Sequence, residues 1–152
     1  MQKVIYNEKK RLHTGKTLSH ESEIKIRFCE VDSMGIVWHG NYVKYLEDGR
    51  EAFGRKFNLS YMDIYKKYGY MTPVVKIEIN YKKQLFYEDE IIIKTTFTDT
   101  PAAKICYEYE IKRKSDNETI LTASSTQVFM NKNRELELIT PEFFKKWKTK
   151  YL

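Results

Sequence analysis

The chain has 152 residues, of which 41% are hydrophobic and 14% aromatic, a length that suits one ordinary domain burying roughly two thirds of its unfolded surface. No apolar run approaches the roughly 20 residues of a membrane helix, and MQKVIYNEKKRLHTGK holds no apolar segment of signal-peptide length, so the expectation is a cytoplasmic protein without a membrane span. With 27 Lys plus Arg against 21 Asp plus Glu, the charge of +6 favours polyanionic partners, but the basic residues are scattered and no basic helix face speaks for nucleic acid.

In chain order, residues 1–21 read as a polar N-terminal extension with an isolated VIY at Val4 to Tyr6, and residues 22–152 as a single domain. From Glu23 the pattern alternates: Ile24, Ile26 and Phe28 face one way, Lys25 and Arg27 the other, which predicts a half-buried strand. At Asn41 the period changes. Tyr42, Tyr45, Leu46, Gly49, Phe53 and Phe57 recur at helical spacing, predicting about four turns with Asn41 as N-cap. Gly49 within that helix costs roughly 1 kcal/mol relative to Ala, so close packing against another backbone is expected to compensate.

A shorter helical piece follows at Tyr61 to Tyr68, stopped by Gly69. The rest is strand-like: Val75 to Tyr81 alternates, Ile91 to Phe97 is rich in β-branched residues, Ile105 to Ile111 alternates, and Ile120 to Met130 follows the turn Ser115 to Glu118. Pro141 marks the start of a last short helix. Short connections favour antiparallel neighbours, so the fold class is α+β: one antiparallel sheet wrapped around a long helix. Cys29 and Cys106 lack a CxxC pair or a Cys/His cluster, which leaves neither a disulfide framework nor a metal site, and they read as buried free thiols.

The stretch FCEVDSMGIVWHGNYVKYLEDGREAF resembles the signature of hotdog-fold acyl-CoA thioesterases of the 4-hydroxybenzoyl-CoA thioesterase class, including the Tol-Pal-associated bacterial branch. The matching positions are Phe28, Glu30, Asp32, Gly35, Ile36, Val37, Trp38, His39, Asn41 and Tyr42, followed by Glu47 and Arg50. Glu30 departs from the family, which commonly has a second Asp there. The element order extends the resemblance to about residues 22–140. It implies a hotdog fold, acyl-CoA as substrate, no cofactor beyond the coenzyme A of that substrate, and a homodimer or homotetramer with sheets joined edge to edge and sites at the interface.

Thioester hydrolysis needs a group that attacks or activates water, donors for the developing oxyanion, and a place for the acyl chain and pantetheine. Asp32 can be general base or nucleophile, and the residues leave both routes open. Without the motif, Asp32 reads as a turn residue bonded to nearby backbone. Helix-start N–H groups suit the oxyanion, and the resemblance places the polarising N–H at His39, flanked by Gly35 and Gly40. The His39 side chain is either a participant in proton transfer or a satisfied, partly buried residue. Gly35, Val37, Trp38, Asn41, Tyr42 and Glu47 are the candidate substrate-binding residues. Asn41 and Glu47 read equally as a helix cap and a helix-face carboxylate, and Glu47 or Glu51 matters where a hotdog enzyme uses a helix carboxylate. Lys82, Lys83 and Lys104, with Arg113 and Lys132, are weak candidates for the CoA phosphates, since each also reads as a solvated strand-end charge. A non-hydrolytic acyl-thioester binding protein and an acyl-carrier-protein thioesterase are the alternatives.

Overall fold

The computed structural model describes residues 14–152, so residues 1–13 of the expected extension, Val4 to Tyr6 among them, lie outside the described residues. The first strand, β1 (Thr17–Lys25), starts well before Glu23 and pairs antiparallel along its length with a later strand, from Thr17↔Thr98 to Lys25↔Glu90. The boundary expected at residues 21 and 22 therefore falls inside a strand. Backbone ladder bonds hold this edge strand, so Leu18, His20 and Ser22 need no strong apolar alternation.

Ile26 is buried, but Phe28 does not continue the strand face. The chain leaves the sheet here, Ile26 N–H donating to Asp89 C=O at 2.8 Å, and enters a 3-10 turn over Phe28–Glu30 in which Phe28 is 75% exposed.

Helix α1 (Asn41–Phe57) turns Tyr42, Tyr45, Leu46, Gly49, Arg50, Phe53 and Gly54 inward and packs against β1 and its partner strand Glu90–Thr98. A Cβ on Gly49 would stand 2.5 Å from Thr95 Oγ1 and 2.9 Å from an Ile93 methyl, so the close packing expected there is present, but against side chains rather than another backbone. Asn58 in the left-handed region (φ 56°) ends the helix, and α2 (Tyr61–Asp63) runs into a π-turn over Ile64–Tyr68 that Gly69 stops.

Strands β2 (Val74–Tyr81), β3 (Glu90–Thr98), β4 (Lys104–Arg113), β5 (Thr119–Met130) and the short β6 (Leu136–Glu137) complete a sheet ordered β1-β3-β4-β5-β2, with β6 beside β5. All pairings are antiparallel. The inner face carries Ile91, Ile93, Phe97, Tyr107, Tyr109, Ile111 and Phe129, all buried under α1 and the last helix, α3 (Glu142–Tyr151), which starts after Pro141 as its sequence indicates. Alternate residues such as Lys94, Glu108 and Glu110 face outward.

The cysteines correct another expectation: Cys29 is exposed on the 3-10 turn and Cys106 half-buried on the outward register of β4, both as free thiols. Among the described residues no helix is long and apolar enough to cross a membrane.

Candidate active site

The segment between β1 and α1 folds back on itself. Val31 bridges Val37, Asp32 N–H donates to Ile36 C=O at 2.8 Å, and Trp38 N–H donates to Glu30 C=O at 3.0 Å. Gly35 closes the turn at φ 77°, a left-handed value that glycine adopts without strain, and its N–H donates to Asp32 C=O at 3.0 Å. Asp32 is half-buried, and its Oδ1 accepts the Met34 N–H at 2.8 Å, the side-chain turn that its sequence context suggests. The turn uses one carboxylate oxygen. Oδ2 accepts no hydrogen bond among the described residues, so the local structural role leaves an oxygen for chemistry.

The folded-back segment is tied to the start of α1. Asn41 is not the N-cap: Gly40 is, with no side-chain cap, and Asn41 is the first helical residue. Its buried side chain reaches back instead, Nδ2 donating to Glu30 C=O at 2.8 Å, while its N–H donates to Trp38 C=O at 2.9 Å. Glu30 C=O thus holds both Trp38 and Asn41, fixing the segment that bears Asp32 to the helix end. Between these tied points, the N–H groups of His39 and Gly40 meet no acceptor among the described residues. Two unpaired donors at the positive end of a helix dipole are what a thioester oxygen gaining charge requires. A Cβ at Gly40 would meet the Trp38 indole, so this ring lies directly over the helix start.

The His39 imidazole is exposed beside the Trp38 ring, 5.0 Å between centroids, and pairs with no carboxylate among the described residues. Its backbone, free N–H on one side and a C=O accepting from Tyr81 Oη at 3.0 Å on the other, is the engaged part. Ile36, Val37, His39, Tyr42, Tyr81, Lys82, Lys83 and Gln84 line an open cleft of about 320 Å³ at the helix start. Of the candidate binding residues, Val37 and Tyr42 therefore meet His39 in one cleft, which Trp38 does not line. Glu47 does not join them: it points outward from α1, eight residues and about 12 Å of helix beyond His39. Glu51 pairs with Arg55 at 3.2 Å.

The basic candidates divide. Lys82 and Lys83 border the cleft, Lys83 also lying 3.8 Å from Glu118. Lys104 lies at the other end of the sheet: it pairs with Val128 while Lys82 N–H meets Ile120 C=O, roughly 26 Å away along β5. Arg113 is held by Asp116 at 2.8 Å, Asp89 at 3.3 Å and Gln84 C=O at 2.6 Å, and the Lys132 stem lies over Gly69. A larger hollow of about 410 Å³ on the outer sheet face, between Glu78, Lys94, Glu108 and Glu110, lies away from this turn and its free donors.

Glu30, where the family commonly has Asp, is no second acid at the site. Its carboxylate is buried and turns back to Arg27, accepting the Arg27 N–H at 2.8 Å and lying 3.0 Å from the guanidinium. Burial pushes this carboxyl up, but the Arg27 bonds outweigh it and hold it below the usual range. On the helix, partial burial and the neighbouring carboxylates Glu51 and Glu47 push Asp48 up. Sequence reasoning missed Tyr81 and the clamp of Asn41 on Glu30. Tyr81 simply continues the alternation of β2, and a contact with a residue 42 positions away leaves no local pattern.

The thioesterase-like superfamily profile matches residues 26–147, and the chain belongs to that family: a thioester hydrolase of the hotdog fold. YneP of Bacillus subtilis (strain 168), whose name carries a provisional acyl-CoA thioesterase assignment, is 34% identical over 131 residues, covering 86% of this chain and 94% of that one. A chloroplastic acyl-acyl carrier protein thioesterase of Arabidopsis thaliana is 27% identical over 130 residues, or 84% of this chain and 68% of its own. Among solved structures, a DHNA-CoA thioesterase from Staphylococcus aureus superposes with a TM-score of 0.78 at 28% identity, covering 87% of this chain and 89% of that one.

Proposed function

We propose that the protein hydrolyses an acyl-CoA thioester to the free acid and CoA, with Asp32 as the catalytic carboxylate and the N–H groups of His39 and Gly40 receiving the carbonyl oxygen. The observation that carries this reading is the clamp of Asn41 and Trp38 on Glu30 C=O, which joins a carboxylate with an unbonded oxygen to a helix start with two unbonded donors. Asp32 acts by one of two balanced routes. As nucleophile it forms a mixed anhydride and releases CoA thiolate, and water then cleaves the anhydride; as base it takes a proton from the water that attacks the thioester directly, the C–S bond breaks, and the departing CoA thiolate takes up that proton. Lys82 and Lys83 at the cleft rim offer charge to the CoA phosphates. Coenzyme A enters as part of the substrate and no other cofactor is required.

The active form in this reading is a homodimer, or a homotetramer built from two such dimers, with β2 as the joining edge. β2 is paired on its β5 side only, and exposed Val74 and Val75 on it, with Phe28, Met34, Trp38, Phe86 and Tyr87 around the site, leave apolar surface for a second copy. The exposed thiol of Cys29 fits the reducing cytoplasm. An acyl-carrier-protein substrate is the second reading, favoured by the Arabidopsis relative and by the net charge of +6, which complements an acidic carrier. Thiol release measured across short, medium, long and aromatic acyl-CoAs and the matching acyl-carrier-protein thioesters tests both. Faster turnover of one acyl-CoA supports the first, preference for the carrier-bound form replaces it with the second, and tight binding without thiol release contradicts both.

A further inference from the structure

We propose that Tyr81 is a positioning residue for the reaction, its hydroxyl donating to the His39 carbonyl and so strengthening the Gly40 N–H on the same peptide as a donor to the thioester oxygen. This rests on the reading of the α1 start as the carbonyl site. The His39–Gly40 peptide has its oxygen bonded to Tyr81 Oη at 3.0 Å and its N–H unbonded. An amide that accepts at oxygen shifts electron density along the peptide and donates better at nitrogen, by roughly 10–30% per bond in a chain of hydrogen bonds. The preceding peptide is built the same way: Trp38 C=O accepts the Asn41 N–H at 2.9 Å, and its N–H is the free one of His39. Each free donor is thus backed by a hydrogen bond at the far side of its own peptide. One is local to the helix start and the other reaches across from the sheet.

The placement of Tyr81 is set by regular structure. It is the last residue of β2, paired with Leu121, and its ring meets buried Tyr42 of α1 edge-on at 5.4 Å and 77°. Tyr81 is 52% exposed, so its hydroxyl is directed by the sheet register and by the ring contact with Tyr42 on one side, the positioning that a group acting through another requires.

Tyr81→Phe keeps the ring and removes only the hydroxyl. On the acyl-CoA that the wild type turns over fastest, kcat falls roughly two- to eightfold with KM within twofold, a smaller loss than the hundredfold or more for removing a direct oxyanion donor. The carbonyl itself gives a second readout. With the same acyl-CoA, labelled with carbon-13 at the thioester carbon and bound to Asp32→Asn, the infrared carbonyl stretch lies below its solution value, and adding Tyr81→Phe moves it part of the way back. 3-Fluorotyrosine at position 81, a stronger donor while protonated at pH 6.5, moves the stretch further down, an effect that ring packing alone does not produce. If Asp32→Asn is inactive while Tyr81→Phe matches the wild-type kcat and neither change at position 81 moves the stretch, the role of Tyr81 is overturned and the site stands. Full turnover by Asp32→Asn overturns the site and this proposal with it.

Discussion

The two ends of the sheet use aromatic residues in opposite ways. At the end where β3 finishes and β4 begins, Phe53, Phe97, Phe129, Phe144 and Trp147 are buried, Phe144 stacks on Trp147 at 5.7 Å and 15°, and Phe97 meets Trp147 edge-on at 5.1 Å. Two polar side chains tie this end together: Trp147 Nε1 donates to Phe57 C=O at 2.6 Å, and Lys148 lies 2.6 Å from Asp99. At the other end, Phe28, Trp38, Phe86 and Tyr87 stand exposed around two backbone donors that bond nothing in the described chain. Buried, mutually packed rings mark the end that holds the fold; unpaired donors and exposed rings mark the end that, in the proposed reading, receives the substrate and a second subunit.

That contrast can be tested by damaging each end separately. Phe53→Ala opens a cavity among Phe57, Phe97 and Tyr107 and is expected to cost about 3–5 kcal/mol, lowering the thermal midpoint by roughly 10 °C. Well below that midpoint its kcat stays within twofold of the wild type; a large loss of kcat in the folded variant would mean that the two ends are coupled. Asn41→Ala removes the buried bond to Glu30 C=O, with an expected cost of about 1–2 kcal/mol in urea unfolding and roughly a tenfold lower kcat, because the segment bearing Asp32 loses its tie to the helix. Lost stability with unchanged kcat would show that the clamp supports the fold alone.

The smallest effect concerns pH at the closed end. Burial pushes Asp99 up, but hydrogen bonds from Lys148 and Thr14 outweigh it and hold the carboxyl below its usual 3.8. A carboxyl depressed in the folded state contributes stability above its unfolded value, and that contribution disappears as pH falls through the folded one. Lys148→Met is therefore expected to cost roughly 1–2 kcal/mol at pH 7, with the gap to the wild type narrowing as pH falls below the usual carboxylate range and through the depressed folded value. A gap independent of pH would assign the cost to the Lys148 stem and its bond to Thr100 C=O at 2.7 Å.

The sequence displays what depends on regular spacing. Helix α1, strands β3 to β5, the stop at Gly69 and the start at Pro141 follow from apolar period, β-branched content and turn residues, and the motif locates Asp32 and the helix start. It hides what depends on an edge or on a distant partner. Leu18, His20 and Ser22 belong to β1 because β3 offers a backbone ladder, which composition does not reveal. Arg50 sits on the inward face of α1 because Tyr61 at 2.6 Å and Tyr109 at 3.1 Å receive its donors, and Tyr109 passes the chain on to Ser125 at 2.7 Å. Asn41 looks like a cap by position but finds a better acceptor in Glu30 C=O, and the reach of Tyr81 to His39 exists only once β2 is laid beside β5.

The measurement closest to the central claim is steady-state thioester hydrolysis by Asp32→Asn, made alongside a thermal melt. Asn retains the oxygen that accepts the Met34 N–H, so the turn and the fold persist and the midpoint stays within about 2 °C, while kcat falls at least roughly a thousandfold because the carboxylate is gone. A folded Asp32→Asn protein that turns over within tenfold of the wild type would contradict the account.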